Sequence, residues 1–196
     1  MLKGTTYIIK ERVGLLKFSD TYDIFDPSNN TQAGIAKERP GGFVHFLRFF
    51  LHKNFLPSKV FVYEGASEED SSRLLFSIER GYSLLRPRVT VKTPLGETIG
   101  WFKSRLFTLG GAFDVFNAQG ALVAAVKGDW KGWNFRFLDT TEMEIGTVTK
   151  KWAGLGKELF TTADTYVIDL KPSTPPDRLT MLLAAGLAID IVFKEH

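Results

Sequence analysis

The sequence predicts a mainly-β fold: a closed antiparallel β-barrel around a hydrophobic C-terminal helix. Three observations predict it. Five stretches of the chain repeat one hairpin plan, a strand, a polar turn, then a strand in which Gly or Ala precedes apolar residues and Lys or Arg. The segment Leu179–Phe193 is apolar almost all the way round, and such a helix must be enclosed, because water on any side would meet its apolar surface. Many short antiparallel strands must also hide their edges, in a sandwich or a closed barrel. A barrel filled by a helix satisfies both demands. Propeller blades, at about 40–50 residues each, are too long for this repeat.

In chain order, Tyr7–Ile9 and Leu15–Phe18 read as short strands. The first hairpin is Tyr22–Lys37, with Asp26-Pro27-Ser28-Asn29-Asn30 at its turn. Asn29-Asn30-Thr31 fits a glycosylation acceptor pattern, but Asn and Asp at that place are read as turn formers. Phe43–Phe55 carries His45, Arg48 and His52 three and four residues apart and five Phe among its apolar positions, the pattern of an amphipathic helix at about 43–55 with a basic polar stripe. Val60–Arg80 is a longer hairpin whose turn, Gly65–Ser72, is acidic. Val89–Lys103, Phe113–Lys127 and Phe135–Lys150 follow with period-two alternation and turns of Asp, Asn, Gly and Pro. Tyr166–Leu170 adds a strand, a Pro-rich break follows, and the helix occupies about 179–193. The residues 1–196 are read as one domain.

The 15 residues of Leu179–Phe193 span about 22 Å as a helix, short of a hydrocarbon core of about 30 Å. Asp190 interrupts them, and a carboxylate near mid-membrane costs about 2.5–3.5 kcal/mol on insertion scales. Burial inside the protein is therefore expected, with no transmembrane span.

The chain has 44% hydrophobic and 24% charged residues, the balance of a globular protein. It has no cysteine, which excludes disulfides, thiol nucleophiles and Cys-based metal sites. The histidines are His45, His52 and His196, which leaves little for a general base beside a nucleophile. Gly154-Leu155-Gly156-Lys157 lacks the spacing of a phosphate-binding loop. The expectation is a non-enzymatic protein with no cofactor and no metal. Met1–Lys10 has no apolar run of a signal peptide, so the expected location is cytoplasmic, with peripheral attachment to membrane.

Net charge is +3, unevenly spread: 37–60 carries +4 and 73–105 carries +5, while 61–72 carries −4. A basic region of this kind suits phosphate. Trp130 and Trp133, with Lys127 and Lys131, form a second aromatic and basic group, read chiefly as core and rim packing.

The last quarter of the chain carries a specific order of residues: Ile145-Gly146, Lys150-x-Trp152, Gly154, Glu158-x-Phe160-Thr161, Ala163-Asp164, then Ile189-Asp190 and Phe193-x-Glu195. In this order the sequence resembles the phospholipid scramblase family and the plant LURP-one-related proteins, which share the Tubby C-terminal fold. The hairpin plan extends the likeness more loosely to about residue 22. The resemblance implies a barrel of about twelve strands around the C-terminal helix. In animal scramblases the stretch after Phe-Thr begins Asp-Ala-Asp-Asn and is proposed to bind calcium. Here it reads Thr162-Ala163-Asp164-Thr165, so Asp164 is a vestige of that motif and calcium-triggered scrambling is not carried over, since calcium gathers six or more oxygens.

A basic amphipathic helix at 43–55 can lie on an anionic membrane with its cations at the headgroups, or close one end of the barrel with its Phe side chains in the core. On the first reading Arg48, Lys53 and Lys59 are expected contacts. By analogy with Tubby domains, which bind phosphoinositides through cationic side chains, Arg86, Arg88, Lys92, Lys103 and Arg105 are expected to hold lipid phosphates. The expected function is peripheral binding of anionic phospholipid headgroups. The alternative is a protein-interaction scaffold without a lipid role. Nucleic acid is not expected, because no helix-turn-helix pattern accompanies the basic charge.

Overall fold

Strand-length alternation of apolar and polar residues becomes twelve antiparallel strands in the computed structural model, which describes residues 4–12, 20–39, 57–67, 70–81, 88–105, 111–129, 133–150 and 165–193. They are β1 (Thr6–Glu11), β2 (Thr21–Asp26), β3 (Thr31–Glu38), β4 (Ser58–Glu64), β5 (Leu74–Arg80), β6 (Arg88–Lys92), β7 (Thr98–Ser104), β8 (Ala112–Asn117), β9 (Leu122–Asp129), β10 (Asn134–Leu138), β11 (Glu144–Thr149) and β12 (Thr165–Leu170), followed by helix α1 (Pro176–Phe193). Each strand pairs with its sequence neighbours, and β1 closes the ring on β12 through Tyr7↔Ile168 and Ile9↔Tyr166. The expected strand at Leu15–Phe18 and helix at about 43–55 lie outside the described residues.

The hairpins form where turn chemistry permits. At the β2–β3 tip, Asp26 Oδ1 accepts from Ser28 N and Oγ, and Asn29 Oδ1 accepts from Thr31 N and Oγ1. Asn30 sits at φ 53°, a left-handed conformation that Asn tolerates. The Asn29-Asn30-Thr31 triplet therefore works as a turn. Gly96 and Gly120, at φ 87° and 82°, close the β6–β7 and β8–β9 tips where a side chain would be strained. At the β10–β11 tip, Asp139 Oδ1 accepts from the backbone of Thr141 and Met143 and from the Thr141 hydroxyl. The acidic β4–β5 connection carries a 3-10 turn, Ser71–Arg73, capped by Asp70.

One row of each strand faces inward, and register aligns these rows around the ring. Ile9 opposes Ile24, Ala36 opposes Val62, Val60 opposes Ile78, Val91 opposes Gly100, Phe102 opposes Val115, Phe137 opposes Val126 and Val148 opposes Ile168. These side chains form a single buried cluster with Met181 to Ile189 of α1, and every α1 residue over that stretch is buried. The helix enters beside the short turns: Thr174 Oγ1 donates to the Ile145 carbonyl at the β11 edge, and Met181 lies against Gly100. Further along, Gly186 lies against Ile168. The helix starts at Pro176, three residues before the sequence expectation. Proline suits a first helical turn, because the N–H it lacks has no partner there in any helix.

Polar groups line the inner row only toward the opposite mouth. Glu38 and Arg80 are buried there with Ser58, whose hydroxyl donates to Glu38 Oε1 at 2.8 Å.

Gly100 tests how closely wall and helix fit. A Cβ at that position would lie 2.3 Å from the Phe116 carbonyl oxygen and 2.7 Å from Met181 Cε. Backbone cannot yield as a side chain can, so Gly100→Ala is expected to cost about 1–3 kcal/mol, at about 2–4 °C of melting temperature per kcal/mol. Gly81→Ala, where an added Cβ meets nothing within 4 Å, should stay within about 0.5 kcal/mol. Thermal melts of the two variants check the difference.

Candidate anion-binding face

With the inner row committed to α1, the outward residues of each strand are the ones open to a ligand. On β3 to β8 they form contiguous rows. Lys59, Glu79, Thr90, Trp101 and Phe116 are successive cross-strand neighbours, and Arg88 and Lys103 oppose each other one step nearer the polar-lined mouth. Lys37, Phe61, Ser77 and Lys92 form the parallel row on the other side.

Aromatic rings organise the cations of this face. Trp101 and Phe116 stack with centroids 3.9 Å apart and planes 12° from parallel. The Arg88 guanidinium lies 4.2 Å from the Trp101 centroid, where the ring's negative face attracts it. Phe61 and Tyr63 form a second pair, 6.4 Å apart, with Arg39 5.7 Å and Lys59 5.0 Å from the Phe61 centroid. Long cationic side chains held on rings lose less freedom when they bind than ones free in water.

Carboxylates divide the cations into held and available ones. Glu79 meets Lys59 Nζ with one oxygen and Lys92 Nζ with the other, each at 2.6 Å. Burial pushes the Glu79 carboxyl up, but the hydrogen bonds and charges of the two lysines outweigh that and hold it below the usual glutamate value. Arg105 donates from Nε to Asp114 Oδ1 at 2.9 Å. That bond, against some burial, holds the guanidinium pKa above its usual value. Arg88 and Lys103 are exposed, and neither meets a carboxylate among the described residues.

Of the residues the sequence singled out, the structure brings Lys59, Arg88, Lys103 and Arg105 onto one face. Arg48, Lys53, Arg86 and Asp164 lie outside the described residues, as do Trp130 and Lys131. Trp133 packs at 5.5 Å from Tyr166 and 6.0 Å from Phe135, with Lys150 Nζ 4.6 Å above it, so it belongs to the barrel rim. Sequence reasoning missed the Trp101–Phe116 stack and the double grip of Glu79. The Arg88–Lys103 pairing was legible in principle, because the tight Thr93–Glu97 turn sets the register of that hairpin.

The mouth at which α1 enters has the opposite character. Its turns and strand ends carry Asp26, Glu64, Asp70, Glu97, Asp139 and Glu142, which outnumber Arg73, Lys171 and Arg178 at the same end. Leu95, Leu122 and Met143 stand exposed on its three successive hairpin tips, β6–β7, β8–β9 and β10–β11. No helix among the described residues is long and apolar enough to cross a membrane.

The model of the scramblase family matches residues 71–196, which is more than half of the chain and includes β5 to β12 and α1. The chain therefore belongs to the scramblase family. Comparison with the curated proteins and with the solved structures found no match.

The Glu79 bridge also has a pH signature. Its folded pKa is depressed, so the stabilisation it gives is complete above about pH 4.3, the ordinary glutamate value, and fades as pH falls through the lower folded value. Glu79→Gln is expected to be less stable than wild type by under about 1 kcal/mol at pH 7, since solvent screens the pair. That gap should narrow as pH falls below about 4.3 and through the lower folded value. Denaturant unfolding of both proteins at pH 7 and at successively lower pH measures it.

Proposed function

We propose that this member of the scramblase family is a non-enzymatic, peripheral membrane protein that binds anionic phospholipid headgroups on the outer face of β3 to β8. The observation that carries the reading is the Arg88–Lys103 pair. The two cations stand side by side across β6 and β7 without a carboxylate partner among the described residues, next to the Trp101–Phe116 stack. Phosphate oxygens take charge-assisted hydrogen bonds from such a pair. Trp beside them suits the headgroup level, where an amphipathic ring has both apolar and polar surroundings. The family supports a phospholipid-related role.

The distribution of charge orients the barrel. Cations concentrate on β3 to β7, while acidic residues gather at the helix-entry mouth, so an anionic surface attracts the side of the barrel and repels that end. Lys59 contributes at the edge of the face, and Arg105 contributes charge while its hydrogen bonds stay with Asp114. A cytoplasmic location is part of this reading.

A second reading, a protein-docking scaffold with no lipid role, draws on Leu95, Leu122 and Met143 at the acidic mouth. Vesicle co-sedimentation separates the two. With vesicles containing about one-fifth phosphatidylserine, wild type should sediment at low salt and be released as salt rises. Each basic residue near an anionic surface is worth about 1 kcal/mol, so the doubly reversed Arg88→Glu, Lys103→Glu variant should bind at least about tenfold more weakly, a melting curve verifying that it is folded. Equal sedimentation of the two proteins would remove the face from consideration and favour the scaffold.

A further inference from the structure

Glu79 is the carboxylate that stands among the outward-facing cations of β4 to β7, and its geometry is that of a bound ligand. Each of its two oxygens takes a lysine ammonium at 2.6 Å, from β4 on one side and β6 on the other. An external phosphate approaching Lys59 and Lys92 would seek the same place and the same hydrogen bonds. The neighbouring Arg88–Lys103 pair has no such occupant among the described residues.

We propose that Glu79 is a built-in counter-anion that sets the selectivity of this face. It withholds Lys59 and Lys92, leaves Arg88 and Lys103 as the place for a single phosphate group, and biases the face against densely charged headgroups. The inference rests on the lipid-binding reading above and adds to it the class of headgroup accepted.

The physical basis is short-range competition. A headgroup carrying one phosphate has its charge satisfied by the Arg88–Lys103 pair alone. One carrying several phosphates needs further cations within reach; Arg105 is held by Asp114, and Lys59 and Lys92 already hold Glu79, whose negative charge repels the second phosphate. Glu79 and Thr90 are cross-strand neighbours, as are Thr90 and Trp101, so the carboxylate lies two strands from the stack that carries Arg88. Charges at such separations fall within a Debye length of about 8–10 Å at physiological salt. Removing the carboxylate should therefore free two ammonium groups and lift the repulsion together.

The test compares wild type, Glu79→Gln, Glu97→Gln and the Arg88→Glu, Lys103→Glu double variant. Each is sedimented with phosphatidylcholine vesicles containing either phosphatidic acid or a phosphatidylinositol bisphosphate, matched for total charge. Glu97→Gln makes the same change in net charge at a hairpin tip, away from the face. Glu79→Gln is nearly isosteric at a partly exposed site, and a melting curve verifies its folding. Glu79→Gln is expected to tighten binding to the bisphosphate vesicles at least about tenfold. On phosphatidic acid it should gain no more than about fivefold, what one charge near the surface is worth. Glu97→Gln should change either by less than about twofold.

If Glu79→Gln and Glu97→Gln behave alike on both vesicles while the Arg88/Lys103 variant loses binding, the selectivity role of Glu79 is overturned and the lipid-binding reading stands. If neither wild type nor Glu79→Gln sediments with either vesicle, the lipid-binding reading fails, and the role of Glu79 fails with it.

Discussion

Enclosure of α1 is the constraint on which the rest of the structure depends. From Met181 to Ile189 the helix is buried on all sides, so something apolar must surround it completely, and a closed ring of strands does this with every backbone group paired. The demand propagates outward. Each strand must present an apolar inner row, the rows must align in register around the ring, and the wall must draw back where the helix comes close. The wall does so at Gly100, against Met181, and the helix does so in turn at Gly186, against Ile168. Closure through Tyr7↔Ile168 then ties the first strand to the last, and the helix cannot be exposed without breaking the ring.

A core filled in this way moves function to the outside. The inner row is apolar except toward one mouth, where Glu38, Ser58 and Arg80 sit, and the outer row carries the charge. Because successive strand residues point to opposite faces, one stretch of sequence serves both purposes: Val89 and Val91 face α1 while Arg88, Thr90 and Lys92 face out. The same alternation gives the outer face its order. Cations and rings stand at fixed spacing on a rigid wall, and two carboxylates divide them: Glu79 holds Lys59 and Lys92, and Asp114 holds Arg105. Charge also differs between the side and one end of the barrel, with basic and aromatic residues on the outer wall of β3 to β8 and acidic tips at the mouth where α1 enters.

Much of this was legible in the sequence, because hairpins are local. Period-two patterning and turns such as Asp26–Asn30 and Asn117–Gly120 specify strand pairs within about 20 residues, and the hairpins read from Tyr22, Val60, Val89, Phe113 and Phe135 are all strand pairs of the barrel. An all-round apolar helix announces its own burial. The start at Pro176 was missed because proline reads first as a breaker. The remaining gaps are non-local. The Trp101–Phe116 stack joins two different hairpins, β6–β7 and β8–β9, and Glu79 reaches across β4 to β6. Neither follows from spacing along the chain; both depend on how hairpins align. Arg105 was named from its charge alone, and only the alignment of β7 with β8 reveals its bond to Asp114.

Amide hydrogen exchange tests the enclosure of α1 most directly, because an enclosed helix can exchange only when the ring around it opens. Exchange at Met181–Ile189 is predicted to be as slow as at the slowest amides of β1 and β12, with a protection free energy equal to that of global unfolding and the same denaturant dependence. Faster exchange of the helix, at free energies well below those of the strands, would contradict the account, since it would mean that α1 leaves the barrel while the wall stays closed.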